Sequence, residues 1–446
     1  MKVMIIGSGV SGLAVSDYLA ERNIDHFFAK KEDIEAREFN EDYINNLLCD
    51  VLFAVISPGI KPHNELIFQL KKRRIALFGE LEFGASKINN DIIAVTGTNG
   101  KTTTVSLIHY LLKDYLGGCK LGGNIGVPVT RLIRDVNDSE IFVLECSSFQ
   151  LETIKKFRPH IAMILNITED HLNRHGTMRE YIKCKYKITK NQTKDDYLIL
   201  NSDDEIIRKN PPKTKAQVFY FSTKRKVVGS YIKNGSIYFN DNVKEIRLAS
   251  LSKIKLKGEH NLSNILASVL AVYLETGNKN MLKGISSFEG VEHRIEFVKT
   301  IRGVEFYNDS KATNIASTLV AVASFKNPIN LILGGSDKGY DFDELFEKLP
   351  KNVDKIAVFG QTRMKIAFSA KKHNYQNIYI CDDLESATNL LFKMSKPGDV
   401  VLLSPACASF DFFSNFEERG NFFKKIVREI GLNESSVSEF KEEIKV

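Results

Sequence analysis

The sequence predicts an α/β protein built from three domains in tandem. The chain is 446 residues long, too long for one typical core and enough for two to four domains. Apolar strand-like runs alternate with helical patterns at both ends of the chain. Between them, an apolar run opens into a loop rich in glycine and threonine and then a helix. Boundaries at 1–88, 89–289 and 290–446 follow from these shifts of pattern.

In the first region a strand is predicted over Lys2–Ile6, a helix after Gly12, a strand near His26–Ala29 and a strand over Val51–Ser57, ending in Ser57-Pro58-Gly59-Ile60. This is a small parallel, Rossmann-like unit. Its first turn, Gly7-Ser8-Gly9-Val10-Ser11-Gly12, fits the dinucleotide fingerprint, but Ala29-Lys30-Lys31 stands where an acidic residue would hold an adenosine ribose. A nicotinamide cofactor is disfavoured; another nucleotide diphosphate stays open. The apolar start, Met1–Ile6, is interrupted at once by glycines and lacks a cleavage-like site, so it reads as a strand rather than a secretory leader.

The second region opens with Ile92-Ile93-Ala94-Val95, then Thr96-Gly97-Thr98-Asn99-Gly100-Lys101-Thr102-Thr103-Thr104, then a helix from Val105 to Leu112. That is the layout of a phosphate-binding loop: backbone N–H groups point at an anion, the lysine reaches the terminal phosphates, and the next hydroxyl can ligate Mg²⁺. Val95 departs from the general consensus, which has a glycine there. A tight strand-to-helix turn would also need glycines, but it gives no reason for a lysine at a helix start, where the dipole disfavours cations. An ATP-binding domain is therefore expected. Apolar strands follow at Ile141–Leu144 and Ile161–Leu165, a hairpin is predicted around Asn234-Gly235, and a helix from Asn261 to Glu275 closes the region.

Two polar clusters stand at the ends of those strands. Glu145 either holds a Mg²⁺ together with Thr102 or is a strand-end surface acid. In Asn166-Ile167-Thr168-Glu169-Asp170-His171, His171 is a candidate metal ligand, and Glu169 and Asp170 equally suit the start of a helix. The stretch Tyr181–Lys187 reads as a solvated basic helix face. Asn261 and Asn264, one turn apart, either grip an adenine edge or cap their helix.

From about 290 strands are predicted near Asn330–Leu333, Lys355–Phe359, Ile378–Cys381 and Asp399–Leu403, then a helix through Phe413–Ile430 and a frayed tail over the last dozen residues. The clusters His293-Arg294, Asn308–Asn314, Gly334–Gly339 and Ser404–Asp411 each follow an apolar strand and can gather at one sheet edge. Loop chemistry explains any one of them, but their repeated Lys and Arg suit a polyanionic substrate.

Composition narrows the function classes. A chain 43% hydrophobic and 26% charged is an ordinary globular protein. Its six cysteines lack paired spacing, which argues for a reducing cytoplasm and against a disulfide frame or zinc site. No stretch is long and apolar enough to insert in a membrane. The net charge of +7 is spread along the chain rather than gathered in a basic arm, so no nucleic-acid partner is expected.

Taken together, Gly97–Thr103, Gly123-Asn124-Ile125-Gly126, Glu145–Leu151, Asn166–His171, His260–Asn264, His293-Arg294, Asn308–Asn314 and Ser404–Asp411 closely resemble the Mur ligase family, from Gly7 to about Phe423. The resemblance implies an ATP-dependent amide ligase that adds D-glutamate to UDP-N-acetylmuramoyl-L-alanine through an acyl phosphate, acting as a monomer in cytoplasmic peptidoglycan precursor synthesis. It implies that Gly97, Thr98, Asn99, Gly100, Lys101, Thr102 and Thr103 hold the ATP phosphates, with Thr102 and Glu145 on one Mg²⁺ and His171 on a second. It also implies that Lys185 is carbamylated by CO₂ and binds metal, against the solvated-face reading. Asn261 and Asn264 would contact the nucleotide, Arg294 its phosphates, Asp309 its ribose, and Lys311 the transferring phosphoryl group. Asn124, with Val10, Ser11 and Gly59, would bind the sugar nucleotide, and Thr313, Lys338, Ser409, Phe410 and Phe416 the D-glutamate. The sequence departs from the family's pattern at Ala29-Lys30, Asn173 and Glu292.

Family relatives that add other amino acids, and folylpolyglutamate synthetases, share the phosphate loop; the Asn308–Asn314 and Ser404–Phe410 clusters favour D-glutamate. An NAD-dependent oxidoreductase would use Gly7–Gly12 and leave Lys101 idle, and a non-catalytic nucleotide-binding regulator would be expected to lack Lys101, Glu145 or His171.

Overall fold

The computed structural model describes every residue except 117, 135, 255, 257, 280, 281, 289, 340 and 444–446. Among the described residues the strands form three sheets, and the chain folds as two compact units, Met1–Ile254 with His260–Phe288 and Lys255–Glu259 with Glu289–Val446.

The first sheet is all parallel, in the order His26–Phe28, Lys2–Ile6, Val51–Ile56, Ala76–Gly79. Lys2–Ile6 is apolar on both faces because both are covered. Met4 and Ile6 pack with Ala54, Ile56 and Leu70, whereas Val3 and Ile5 face Val15, Leu19 and Phe83. The first helix, Val10–Ala20, starts before Gly12 rather than after it. A Cβ on Gly12 would lie 1.9 Å from the Gly7 carbonyl oxygen, so this approach of helix to loop requires glycine.

The same unit contains the nine-stranded central sheet, in which Ile92–Thr96 lies between Ile141–Glu145 and Ile161–Ile164, all parallel. After Thr96 the chain first builds on one side, Cys119–Gly123 and Ile141–Glu145, and then crosses to the other, Ile161–Ile164. The strand order therefore reverses beside Ile92–Thr96, which makes a crevice at its carboxyl end. The expected hairpin forms between Gly229–Lys233 and Ser236–Asn240, with Asn234 and Gly235 at φ 47° and 67°. Helix Glu80–Ala85 bolts the first sheet to the central one: the Glu82 carboxylate accepts the backbone N–H groups of Lys155, Lys156 and Phe157 at 2.7–3.0 Å, and Glu80 accepts from the N–H and hydroxyl of Thr130.

In the second unit a six-stranded sheet runs Glu296–Ile301, Val304–Asn308, Val400–Leu403, Ile329–Gly334, Val353–Phe359, Ile378–Ile380, parallel except for the first pair. That antiparallel pair turns through Arg302 and Gly303, both at positive φ, without the Asn-Gly signature that marks the central hairpin. The terminal helix runs Phe416–Glu443, so the tail expected to fray continues it; residues 433–443 contain no glycine or proline to stop it. Residues 444–446, the end of that tail, lie outside the described residues. No helix among the described residues is long and apolar enough to cross a membrane.

Candidate active site

The phosphate loop occupies the carboxyl end of Ile92–Thr96, at the reversal of strand order, and its helix begins at Lys101 rather than Val105. Neighbouring strand ends fix its shape. Asn166 accepts the Asn99 N–H at 2.8 Å and donates to the Asn99 carbonyl at 3.0 Å, and the Thr98 hydroxyl donates to the Thr168 carbonyl at 3.1 Å. Gly100 has φ +85°, and a Cβ there would meet Asn264 Oδ1 at 2.3 Å. Asn261 and Asn264 are buried inside helix Glu259–Thr276, so neither caps it; Asn264 faces the loop, and its amide donates to Asn261 Oδ1 at 3.5 Å. The Lys101 ammonium donates to the carbonyls of Gly97 and Thr98 at 2.9 and 2.8 Å.

Glu145 is buried rather than a surface acid, and its two oxygens are divided. Oε2 accepts from the Thr102 hydroxyl at 2.8 Å and Oε1 from the Asn124 amide at 2.8 Å. A hydroxyl and a carboxylate side by side are hard oxygen donors, which fit Mg²⁺. Among the described residues no group of three His, Cys, Asp or Glu side chains converges as a metal cage, so such a cation would take its other ligands from phosphate oxygens and water.

Lys185 overturns the solvated-face reading. It lies 2% exposed in helix Met178–Tyr186, with Tyr181 and Cys184 equally buried. The pattern was in the sequence: Tyr181, Cys184 and Ile188 form an i, i+3, i+7 stripe, and Lys185 is its i+4 member. Its Nζ donates to the Gly97 carbonyl at 2.8 Å, the oxygen that Lys101 also uses, and lies 4.6 Å from the Tyr181 ring centre. Burial, and then the neighbouring Lys101 charge, pull its ammonium down to about 7. As an ammonium it fits no metal; as a carbamate it would offer oxygens.

His171 is half-exposed at 48% and adopts a left-handed φ of 54°, at the start of helix Leu172–His175. Its ring packs at a tilt against Phe149, 4.8 Å between centres, and burial lowers its proton affinity, which favours the neutral imidazole that a metal needs.

A cleft of about 730 Å³ opens beside these groups. Val10, Ser11, Ser57 and Gly59 line it from the first sheet, and Asn124 and Gln150 from the central one. All four residues expected at the sugar nucleotide therefore share one cavity.

The second unit gathers its clusters at the carboxyl ends of its parallel strands. Asp309 is buried; it accepts from the Ser404 hydroxyl at 2.7 Å and the Ile295 N–H at 3.2 Å, and burial pushes its carboxyl up to about 7. Ile295, His293 and Ala406 around it all have φ between 45° and 63°, a strained setting for non-glycine residues. Arg294 follows His293, half-buried. The Lys311 ammonium lies 5.6 Å from the Phe416 ring, and Lys338 donates to the Thr313 carbonyl at 3.0 Å. Ser409 is buried while Phe410 is 74% exposed. Sequence reasoning missed Arg419, fully buried, whose guanidinium binds the Ser310 hydroxyl and the carbonyls of Ser310, Cys407 and Ala408. It ties the loop that carries Lys311 and Thr313 to the one that carries Ser409.

Residues 95–272 match the Mur ligase middle domain, and residues 293–407 match the Mur ligase glutamate ligase domain. The UDP-N-acetylmuramoylalanine--D-glutamate ligase of Thermoanaerobacter pseudethanolicus is 40% identical over 446 residues, covering 96% of this chain and 98% of that protein. Those of Clostridioides difficile and Listeria innocua are 38% and 40% identical, each over 96% of this chain and 98% and 96% of the relative. The chain belongs to the Mur ligase family. Solved Mur ligases share its fold: UDP-N-acetylmuramate-alanine ligase MurC from Thermotoga maritima has a TM-score of 0.59 at 17% identity, covering 96% of this chain and 99% of that one. The MurF ligase of Thermotoga maritima in complex with ADP has a TM-score of 0.58 at 20% identity, covering 89% and 97%. The three sheets are thus those of the three-domain Mur ligase fold, and the phosphate loop lies within the segment that matches the Mur ligase middle domain.

Proposed function

We propose that the chain joins D-glutamate to UDP-N-acetylmuramoyl-L-alanine with cleavage of ATP to ADP and phosphate, a step of peptidoglycan precursor synthesis. The observation that carries this reading is the similarity, over nearly the whole chain, to proteins named for that reaction. A carboxylate is a poor electrophile. The alanine carboxylate therefore takes the γ-phosphoryl group of ATP, the amine of D-glutamate attacks the resulting acyl phosphate, and the tetrahedral intermediate expels phosphate while the amine loses a proton. The protein contributes positioning and charge neutralisation.

In this reading Gly97–Thr103 and Lys101 hold the phosphates, Asn261, Asn264, Arg294 and Asp309 hold the rest of the nucleotide, and Lys311 serves the transferring group. Val10, Ser11, Gly59 and Asn124 take the sugar nucleotide; Thr313, Lys338, Ser409, Phe410 and Phe416 take D-glutamate. The regions 1–88, 89–289 and 290–446 are the sugar-nucleotide, ATP and amino-acid domains. Thr102 and Glu145 would hold one Mg²⁺, and His171 with carbamylated Lys185 a second. Bound there, the cations neutralise charge on the phosphoryl oxygens. The buried, easily deprotonated Nζ of Lys185 supports its carbamylation: a free amine adds to CO₂ and releases a proton, and the resulting anion sits beside Lys101 where an ammonium is repelled. The chain acts as a cytoplasmic monomer.

The test is phosphate release from ATP and Mg²⁺ with UDP-N-acetylmuramoyl-L-alanine, adding D-glutamate, L-glutamate, L-lysine, D-lysine or meso-diaminopimelate separately, with product mass measured. A new amide with D-glutamate alone is expected. Turnover with another amino acid would move the specificity, and no turnover with any would overturn the reading.

A further inference from the structure

We propose that Arg174 is a positioning residue that locks the Ser57–Ile60 loop of the sugar-nucleotide cleft to the segment carrying His171, so that substrate carboxylate and phosphoryl-transfer groups meet in register. The proposal rests on the ligase reading above and assigns a role to a residue that reading leaves unused.

Arg174 is 10% exposed and lies three residues after His171, in helix Leu172–His175. Its guanidinium joins three separate segments. Nη1 and Nη2 donate to the carbonyls of Gly59 and Ile60 at 3.3 and 3.0 Å. Nε and Nη2 donate to the two oxygens of Glu152 at 3.0 and 2.7 Å, a bidentate pair. Its central carbon stands 4.2 Å over the Phe149 ring, and that ring also packs, tilted, against His171 and, at 5.7 Å, against His175. One plane, carried on the segment after Ile161–Ile164, thus contacts the loop after Val51–Ile56 and the segment after Ile141–Glu145.

The geometry demands arginine. Only a planar fork can hold two carbonyls and a carboxylate in its plane while a face lies on an aromatic ring; a lysine ammonium is a point charge without that plane. Because Gly59 and Ile60 line the cleft, their carbonyls fix the floor on which the sugar nucleotide rests. Because Phe149 carries both the guanidinium and the His171 imidazole, a shift of that floor is transmitted to His171 through one packed ring. A plain structural ion pair between Arg174 and Glu152 would explain the bidentate contact, yet not the donation to two consecutive carbonyls of a cleft loop.

The experiment compares wild type, Arg174→Lys and the double variant Arg174→Met with Glu152→Gln, which leaves no unpaired carboxylate behind. Titration calorimetry in EDTA measures binding of UDP-N-acetylmuramoyl-L-alanine and, separately, of ADP to the metal-free protein. Both variants are expected to lose about tenfold in sugar-nucleotide affinity, the scale of one charged hydrogen bond, with ADP binding unchanged. In the Mg²⁺ assay the KM for the sugar nucleotide should rise and kcat fall, with the KM values for ATP and D-glutamate unmoved. Unchanged sugar-nucleotide affinity in the double variant, equal losses for both ligands, or full recovery in Arg174→Lys would overturn the proposal. A wild-type protein that makes no amide would instead bring down the ligase reading, so the two failures are distinguishable.

Discussion

Withdrawal of CO₂ is expected to inactivate the protein reversibly through one side chain, Lys185. With its ammonium pulled down to about 7, about three-quarters of Lys185 is free amine at pH 7.5, against about one part in 800 for a lysine at the ordinary value near 10.4. Burial and the Lys101 charge therefore raise the supply of nucleophile roughly 600-fold. Carbamylation would then replace the potential cation beside Lys101 with an anion, the sign that a divalent cation requires. Protein dialysed at pH 6 against CO₂-free buffer and assayed in the same gas should release little phosphate, and bicarbonate at pH 8 should restore the rate with a measurable lag. Labelled ¹³C-bicarbonate should give a carbamate signal in the wild type that Lys185→Met lacks, and that variant should lose at least about a hundredfold in kcat.

A stability measurement separates this from misfolding. Unfolded, Lys185 keeps its proton up to about pH 10.4; folded, it releases the proton near 7, so the unfolded state binds more protons between those values and stability rises with pH across that window. At pH 7 the buried lysine costs on the order of 4 kcal/mol. Lys185→Met should therefore melt higher than the CO₂-free wild type at pH 7 and lose that advantage toward pH 10. Full activity without CO₂, or an active Lys185→Met, would refute the reasoning.

Gly100→Ala should strain a backbone at φ +85° and drive a methyl to within 2.3 Å of Asn264 Oδ1, costing about 1–2 kcal/mol for the backbone alone and most of the ADP affinity. Adding Asn264→Ala should restore part of the melting temperature without restoring ADP binding, by calorimetry. Asp309 is protonated in the folded state up to about 7, so its contribution to stability is complete below about pH 4 and is lost as the pH rises through 7. Asp309→Asn should therefore gain on the wild type across pH 4–7, by up to about 4 kcal/mol, in thermal melts taken as a series. Arg419→Leu should cost about 3–5 kcal/mol in urea unfolding, because it strands the Ser310, Cys407 and Ala408 carbonyls, and should raise the KM for D-glutamate in whatever fraction stays folded.

The parallel strands around the phosphate loop were legible because each is buried and reads as an unbroken apolar run, Ile92–Thr96 and Ile141–Glu145 differing from expectation by one residue at the end, whereas the parallel strands Ala76–Gly79 and Cys119–Gly123, only half-buried and ending in glycine, were not foreseen. Glu145 and Asn166 were legible for the same reason, since the first polar residue after such a run must stand at the carboxyl edge. The antiparallel pair Glu296–Ile301 and Val304–Asn308 was not, because its half-exposed edge strand mixes Glu and Lys with apolar residues and its Arg302-Gly303 turn is unmarked. Arg174 was hidden for a different reason: its partners Gly59, Ile60 and Glu152 come from other segments, and nothing local announces them.

By pattern alone Lys185, which only the family resemblance singled out, and Arg419 were illegible in a more instructive way. Each occupies a position on an apolar helical stripe, Lys185 among Tyr181, Cys184 and Ile188, and Arg419 among Phe416, Phe423 and Val427. A reading that scores cations as polar assigns both to solvent. A buried, unpaired cation costs several kcal/mol, so one that interrupts such a stripe must be neutralised or fully bonded. Arg419 cannot shed its proton near neutrality and is bonded through its fork to a hydroxyl and three carbonyls. Lys185 can, and the same burial that penalises its charge prepares the free amine that CO₂ requires. A cation out of register with its helix is therefore a site signal in its own right, and which cation it is foretells how the charge is resolved.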